Sequence, residues 1–267
     1  MMEIYSANPT YQQKPANTPA TTPATTPANI PVAHTTSTNS RVSPWLGPLA
    51  YLLGRHLLVP TFFGRITIIG QEHIPESGPM ILAPTHRARW DALLVPYAAI
   101  ACHKKNDLRF MVTSSECKGL QGWFVRRLGG FPVDIKHPSI TTLRHGVELL
   151  GQKKTLVIFP EGGIYRDGQV HPLKPGIARL ALSAESTQPD LGIKIIPISI
   201  HYSQTYPNWG TDVIIHIAPA IKVADYSHGC LKQNAKCLTN DLAKALQQLS
   251  HQETEITNHT FVEIPNS

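Results

Sequence analysis

Charge is scarce in this chain: Asp, Glu, Lys and Arg make up 16% of 267 residues, against 42% hydrophobic residues. That balance excludes a charge-rich chain held open by its own repulsion and is the composition of a globular domain. Cysteine is scarce too. Cys102, Cys117, Cys230 and Cys237 form no Cys-x-x-Cys pair and no zinc spacing, so no disulfide framework or zinc module is expected, and reduced thiols of a cytosolic protein are. Neither Gly-x-x-x-x-Gly-Lys nor Gly-x-Gly-x-x-Gly occurs, which removes the usual phosphate cradles of nucleotide sites. The absence of Gly-x-Ser-x-Gly disfavours a serine hydrolase built on a nucleophile elbow. The first six residues lack the basic and apolar regions of a signal peptide. The apolar stretch 45–63 is interrupted by Arg55, His56 and prolines 48 and 60, well short of the ~20 apolar residues that a spanning helix needs.

What is present is a basic balance, formally +6 with a pI near 9.2. Such a surplus suits nucleic acid, an anionic membrane or acidic substrates. No zinc-finger spacing, RNP-like aromatic stretch or basic heptad helix points to nucleic acid. Lys104, Lys105, Arg109, Lys118, Arg126 and Arg127 lie instead beside apolar segments, so an anionic membrane surface is the expected partner, at the cytoplasmic face and without a spanning anchor.

Residues 1–44 are rich in Pro, Thr and Ala, with Thr-Pro-Ala-Thr at 18–21 and 22–25 and Thr-Pro-Ala-Asn at 26–29. Such a tract has few groups to bury and reads as a disordered tail. Residues 45–64 read as an apolar, membrane-associating helical segment, with its basic residues reaching outward to water. Residues 65–250 form the domain proper, and 251–267 a polar tail. Within the domain, short apolar runs bounded by turn residues predict strands over 65–69, 80–83, 110–112, 131–133, 156–159, 193–200 and 212–217. Helix-length segments fall at 91–101, 117–127, 140–150, 177–186 and 234–249. The alternation predicts an α/β fold, a mixed and mostly parallel sheet flanked by helices. Pro197, inside an apolar strand, is expected at an edge or a bulge.

The chemistry concentrates in Thr85-His86-Arg87-Ala88-Arg89-Trp90-Asp91. Histidine alone among side chains has an ordinary pKa near neutrality, so His86 can take a proton and return it. Asp91 can hold the ring in one tautomer and stabilise its protonated form. The segment falls between an expected strand and an expected helix, where loops commonly carry catalytic groups. Spacing alone is weak support, because 13 histidines make a chance His-x-x-x-x-Asp unremarkable. His103, His137, His145, His171, His201 and His216 show no ligand-like clustering, and no metal site is expected.

Three further segments follow in order: Gly129-Gly130-Phe131-Pro132-Val133-Asp134, then Phe159-Pro160-Glu161-Gly162-Gly163-Ile164-Tyr165-Arg166, then Ile196-Pro197-Ile198-Ser199. With the His86/Asp91 block they resemble the four motif blocks of the glycerolipid acyltransferases, the family that includes the lysophosphatidate acyltransferases. The resemblance spans about residues 65–220. It implies a transfer of an acyl group from an acyl-carrier-protein or coenzyme A thioester to a lipid acceptor, with His86 and Asp91 catalytic and no cofactor. It also implies that Glu161, Gly162, Arg166 and Lys174, and with them Asp134 and Lys136, surround the acceptor. Two arginines common in that family, associated with the acceptor's phosphate, are replaced here by Ile135 and Ile164. Lys136 and Arg166 stand beside the vacated places. Lysophosphatidate and a different lysolipid therefore both stay open as acceptor, as does a membrane-surface lipid binder without turnover.

Overall fold

The computed structural model describes residues 43–99, 108–117, 119–134, 139–227 and 229–262. Its centre is one eight-stranded sheet: β1 (Ile66–Ile69), β2 (Met80–Pro84), β3 (Leu108–Thr113), β4 (Gly130–Val133), β5 (Thr155–Val157), β6 (Lys194–Tyr202), β7 (Val213–Ile217) and β8 (Ile221–Lys222). The spatial order is β1-β7-β6-β2-β5-β3-β4, with β8 paired to β6. All pairings are parallel except β6 with β7 and β6 with β8. The mixed, mostly parallel sheet expected from the sequence is thus present. β2 is buried at all five positions, which is why Met-Ile-Leu-Ala-Pro is apolar throughout and shows no alternation.

Helices cover both faces. One carries α1 (Leu46–Leu53), α2 (Val59–Phe62) and α3 (Asp91–Ala99), of which Val59, Leu94, Val95, Ala98 and Ala99 pack against β2, β6 and β7 side chains. The other carries α5 (Ile140–Gly151), α6 (Gly176–Thr187) and α7 (Leu231–Val262), with Leu149, Leu180 and Leu242 among its core residues. α4 (Gly119–Arg127) leads into the edge strand β4. From β2 the chain crosses to β3 by way of α3, and from β5 it crosses to β6 on the far side of β2 by way of α6. Neighbouring strands β2 and β5 therefore send their connections in opposite directions and to opposite faces. That leaves a crevice at their carboxyl ends, the usual ligand site of an open α/β sheet.

Pro197 meets its expectation, and three other details differ. Pro197 lies in the central strand β6, in register with Ala83 of β2. Its missing N–H is tolerated because the pairing shifts by one residue there, from Ile198↔Ile217 to Ile195↔Ile221, so the proline sits at a bulge and not at an edge. The apolar segment is helical, but a π turn at Gly54–Leu58 separates α1 from α2. Only Val59 separates the turn from Pro60, whose ring would otherwise press on the carbonyl of residue 56, and the wider turn relieves that contact. Arg55 does not reach outward: its Nη1 donates to the carbonyl of Tyr97 on α3, at 3.1 Å. The last helix continues to Val262, past the expected end at residue 249. Among the described residues no helix is long and apolar enough to cross a membrane. Of the expected features, the 1–42 tail, Ile135, Lys136, His137, Cys102 and Lys118 lie outside the described residues.

Candidate active site

The loop between β2 and α3 closes on itself around one carboxylate. Asp91, wholly buried in the first turn of α3, accepts at Oδ2 from the amides of Arg87 (2.6 Å) and Ala88 (2.9 Å) and from His86 Nδ1 (2.9 Å). Its other oxygen, Oδ1, accepts from the Tyr202 hydroxyl at the end of β6. Four donors and the amino end of a helix compensate this carboxylate for its burial. Burial, and then the Asp91 charge, push the Tyr202 hydroxyl far above the usual phenol range, so Tyr202 stays a donor. With Nδ1–H committed to Asp91, Nε2 of His86 is the nitrogen that carries the lone pair for proton exchange. The ring is stacked on Phe159 with centroids 4.0 Å apart, which fixes its plane from below.

A second buried carboxylate ties this loop to the one after β5. Glu161 is 1% exposed. Its Oε2 accepts from the His86 amide and its Oε1 from the His171 amide, each at 2.9 Å. Arg87 Nη1 donates to both oxygens at 3.1 Å. The amide of Tyr165 returns a bond to the carbonyl of His86 at 2.9 Å, so the two loops interlock through backbone as well as side chains. Gly162 has φ +71°, a left-handed conformation that the Phe-Pro-Glu-Gly turn needs and that a side chain would strain. Tyr165 stacks on His171, centroids 3.8 Å apart, and His171 Nε2 donates to Asp167 Oδ2 at 2.7 Å.

The structure brings His86, Asp91, Glu161 and Gly162 into this corner. Glu161 faces inward, its oxygens occupied by Arg87 and two amides. Arg166 is exposed, its guanidinium 5.1 Å from the Tyr206 ring centroid, and it lines a cavity of about 300 Å³ next to the corner. Lys174 is exposed, with its amide held by the carbonyl of Pro160 at 2.8 Å. Asp134 is not part of the corner: it follows the edge strand β4, with β5 and β3 between it and β2. Sequence reasoning missed Tyr202, Phe159 and Arg87. Arg87 carried a signal, standing directly after His86; Tyr202 carried none, because its role depends on β6 lying beside β2.

The chain belongs to the Acyltransferase family, whose pattern matches residues 65–201, about half of the chain. Among its relatives is the mitochondrial glycerol-3-phosphate acyltransferase 1 of Sus scrofa, 33% identical over 137 residues, which are 47% of this chain but only 16% of that protein. The 1-acyl-sn-glycerol-3-phosphate acyltransferase of Borreliella burgdorferi is 22% identical over 69% of this chain and 73% of its own length. In fold, the chain is similar to the crystal structure of the 1-acyl-sn-glycerophosphate acyltransferase PlsC from Thermotoga maritima. There the TM-score is 0.56 at 19% identity, covering 76% of this chain and 78% of that one.

Proposed function

We propose that this protein transfers a fatty acyl group from a thioester donor to the free hydroxyl of lysophosphatidate, making phosphatidate. The observation that carries this reading is His86 Nδ1 bonded at 2.9 Å to a carboxylate that is itself held by two amides and a tyrosine. A lipid binder has no use for a base so firmly oriented. In the reaction, Nε2 of His86 removes the acceptor's hydroxyl proton as that oxygen attacks the thioester carbonyl. The tetrahedral intermediate collapses, the C–S bond breaks, and the imidazolium returns its proton to the departing thiolate. No acyl-enzyme forms. Asp91 stabilises the imidazolium, and general-base transfer of this kind contributes roughly 10²–10⁴ in rate, with orientation adding more. The donor is an acyl-carrier-protein or coenzyme A thioester, and no cofactor takes part.

The acceptor assignment rests on the relatives, whose names carry glycerol 3-phosphate or its 1-acyl derivative as acceptor. It also rests on Arg166 at the rim of a cavity beside the corner. The acceptor would arrive from a membrane. α1 buries none of its residues, and Trp45, Leu49, Leu53 and Leu57 are exposed, as are Leu120, Trp123 and Phe124 on α4. Arg127 lies over the Trp123 ring, and the Ser43 amide bonds the Arg127 carbonyl, so the start of α1 and the end of α4 meet. Large apolar side chains with basic neighbours suit the cytoplasmic interface of an anionic bilayer.

The test is an initial-rate assay of purified protein with labelled thioesters and a panel of lysolipids, including lysophosphatidate and an uncharged monoacylglycerol. Lysophosphatidate should be preferred, and Arg166→Ala should raise its KM about tenfold while leaving the donor's KM in place. Equal use of the uncharged lipid, with Arg166→Ala silent, would make another lysolipid the acceptor. No transfer to any acceptor would leave the non-catalytic lipid binder.

A further inference from the structure

Arg87, which lines the cavity beside the catalytic corner, carries a donor without a partner among the described residues. Arg87 is 7% exposed, and its two terminal nitrogens have different fates. Nη1 is spent on both oxygens of Glu161 and on the carbonyl of Tyr165, at 3.4 Å. Nη2 is buried without a hydrogen-bond partner among the described residues. A buried guanidinium nitrogen left unsatisfied is costly, and native structures keep such groups where something else completes them. Arg87 lines the cavity, together with Arg166, Ser199, His201, Tyr202 and Ser203.

The lining suits an anion. Arg166 offers charge at the mouth, and Arg87 and the Ser203 hydroxyl, which accepts from the Asp212 amide, stand within. Asp167 is the one carboxylate in the lining, and it already accepts from His171 Nε2 and from the Gln169 amide, at 2.7 and 3.2 Å. Behind Arg87, Glu161 aims the guanidinium fork and balances its charge, so the site does not need an ion in order to fold. The volume, about 300 Å³, admits a head group but no acyl chain of biological length. Tyr202 joins the two sites: it lines the cavity while its hydroxyl holds Asp91.

We propose that this cavity receives the phosphate monoester of the acyl acceptor, with Arg87 Nη2 as its buried donor and Arg166 as the cation at its rim. Resting on the acyl-transfer reading above, it assigns to Arg87 the task that an arginine would have had at Ile135 or Ile164. The geometry gives the arrangement a purpose. The residue after the base grips the acceptor's phosphate, so one turn of backbone sets the distance between the phosphate and the hydroxyl to be acylated. Guanidinium forks fit phosphate oxygens, whereas lysine supplies a point charge without the second donor.

Inorganic phosphate is the probe, used on the full chain at constant ionic strength. In the wild type it should raise the melting temperature in a saturable way and inhibit competitively against lysophosphatidate, not against the thioester. Arg87→Lys should weaken phosphate binding and raise the acceptor's KM at least tenfold, with the donor's KM unchanged. Because Arg87 also holds Glu161, a second variant leaves that pair untouched: Gln204→Glu places a carboxylate in the same lining and should have the same signature. Phosphate competing with the thioester would overturn the assignment to the acceptor. Turnover with no phosphate effect and an unchanged acceptor KM in both variants would overturn the pocket while leaving acyl transfer standing. Phosphate binding that both variants lose, in a protein that acylates nothing, would uphold the pocket and remove the enzyme reading instead.

Discussion

The His86/Asp91 corner and the helical segment 45–63 lie side by side yet are built on opposite terms. In the corner, Asp91 and Glu161 are buried and each is held by several donors. In the segment, α1 has no buried residue, and Trp45 is 85% exposed. They meet at one aromatic cluster: Phe62 stacks on Trp90 at 4.2 Å, and Phe63 meets the same ring edge-on at 5.4 Å. Trp90 directly precedes Asp91. The corner is thus over-determined by polar contacts, while the segment is fixed at its end and left apolar along its length. Under the proposed function, the rigid corner would serve proton transfer and the apolar surface would meet the lipid.

The comparison breaks most sharply at the base. His86→Ala should lower kcat by at least 10²–10⁴ while the protein still folds and melts cooperatively, because the ring's packing losses are confined to Phe159 and its bond to Asp91. Asp91→Asn should be nearly as inactive and also less stable, since an amide cannot accept from all the donors at Oδ2. Initial rates alongside thermal melts check both, and activity within a few fold in His86→Ala would remove the general-base role.

Glu161→Gln probes the second carboxylate. It strips the counter-charge from buried Arg87, a change that typically costs about 3–5 kcal/mol, so the melting temperature should fall by roughly ten degrees. A stable Glu161→Gln protein with full activity would show the inter-loop ion pair to be dispensable.

The segment should respond in the opposite way. Glutamate at Leu49, Leu53 and Leu57 should abolish binding to anionic liposomes and leave stability within about 0.5 kcal/mol, because these side chains are exposed in the fold. Loss of stability instead of binding, measured by flotation and melting, would mean that the segment serves the core.

The smallest effect concerns pH. Burial lowers the pKa values of His145, His201 and His216 below the ordinary histidine value, with the Arg87 charge adding to the shift at His201. The unfolded chain takes up these protons first, near pH 6.5, so the stability they lend is complete above that pH and declines as pH falls toward the lowered folded values. A melting temperature flat from pH 7.5 to 5.5 would contradict this, and His201→Gln should reduce the slope.

Much of this was legible in the order of residues. Apolar runs located β1 to β7 within a few positions, most directly for β2, β4, β5 and β6, where burial on both faces demands continuous apolar sequence. Two-residue β8 escaped, being too short to carry a pattern. His86 and Asp91 could be paired because their contact is local, five residues apart across one turn. Gly162 was legible for the same reason, since a left-handed turn selects glycine whatever surrounds it. Other contacts join residues 74, 75 and 111 positions apart: Arg87 with Glu161, His86 with Glu161, Tyr202 with Asp91. Nothing in a single chain's spelling marks those partners. They arise only when the sheet sets β2 between β5 and β6, at the crevice where the crossovers part. Local propensity and burial are written in short windows of sequence. The pairing of buried charges is decided by strand order, because a carboxylate can be buried only where distant donors converge on it.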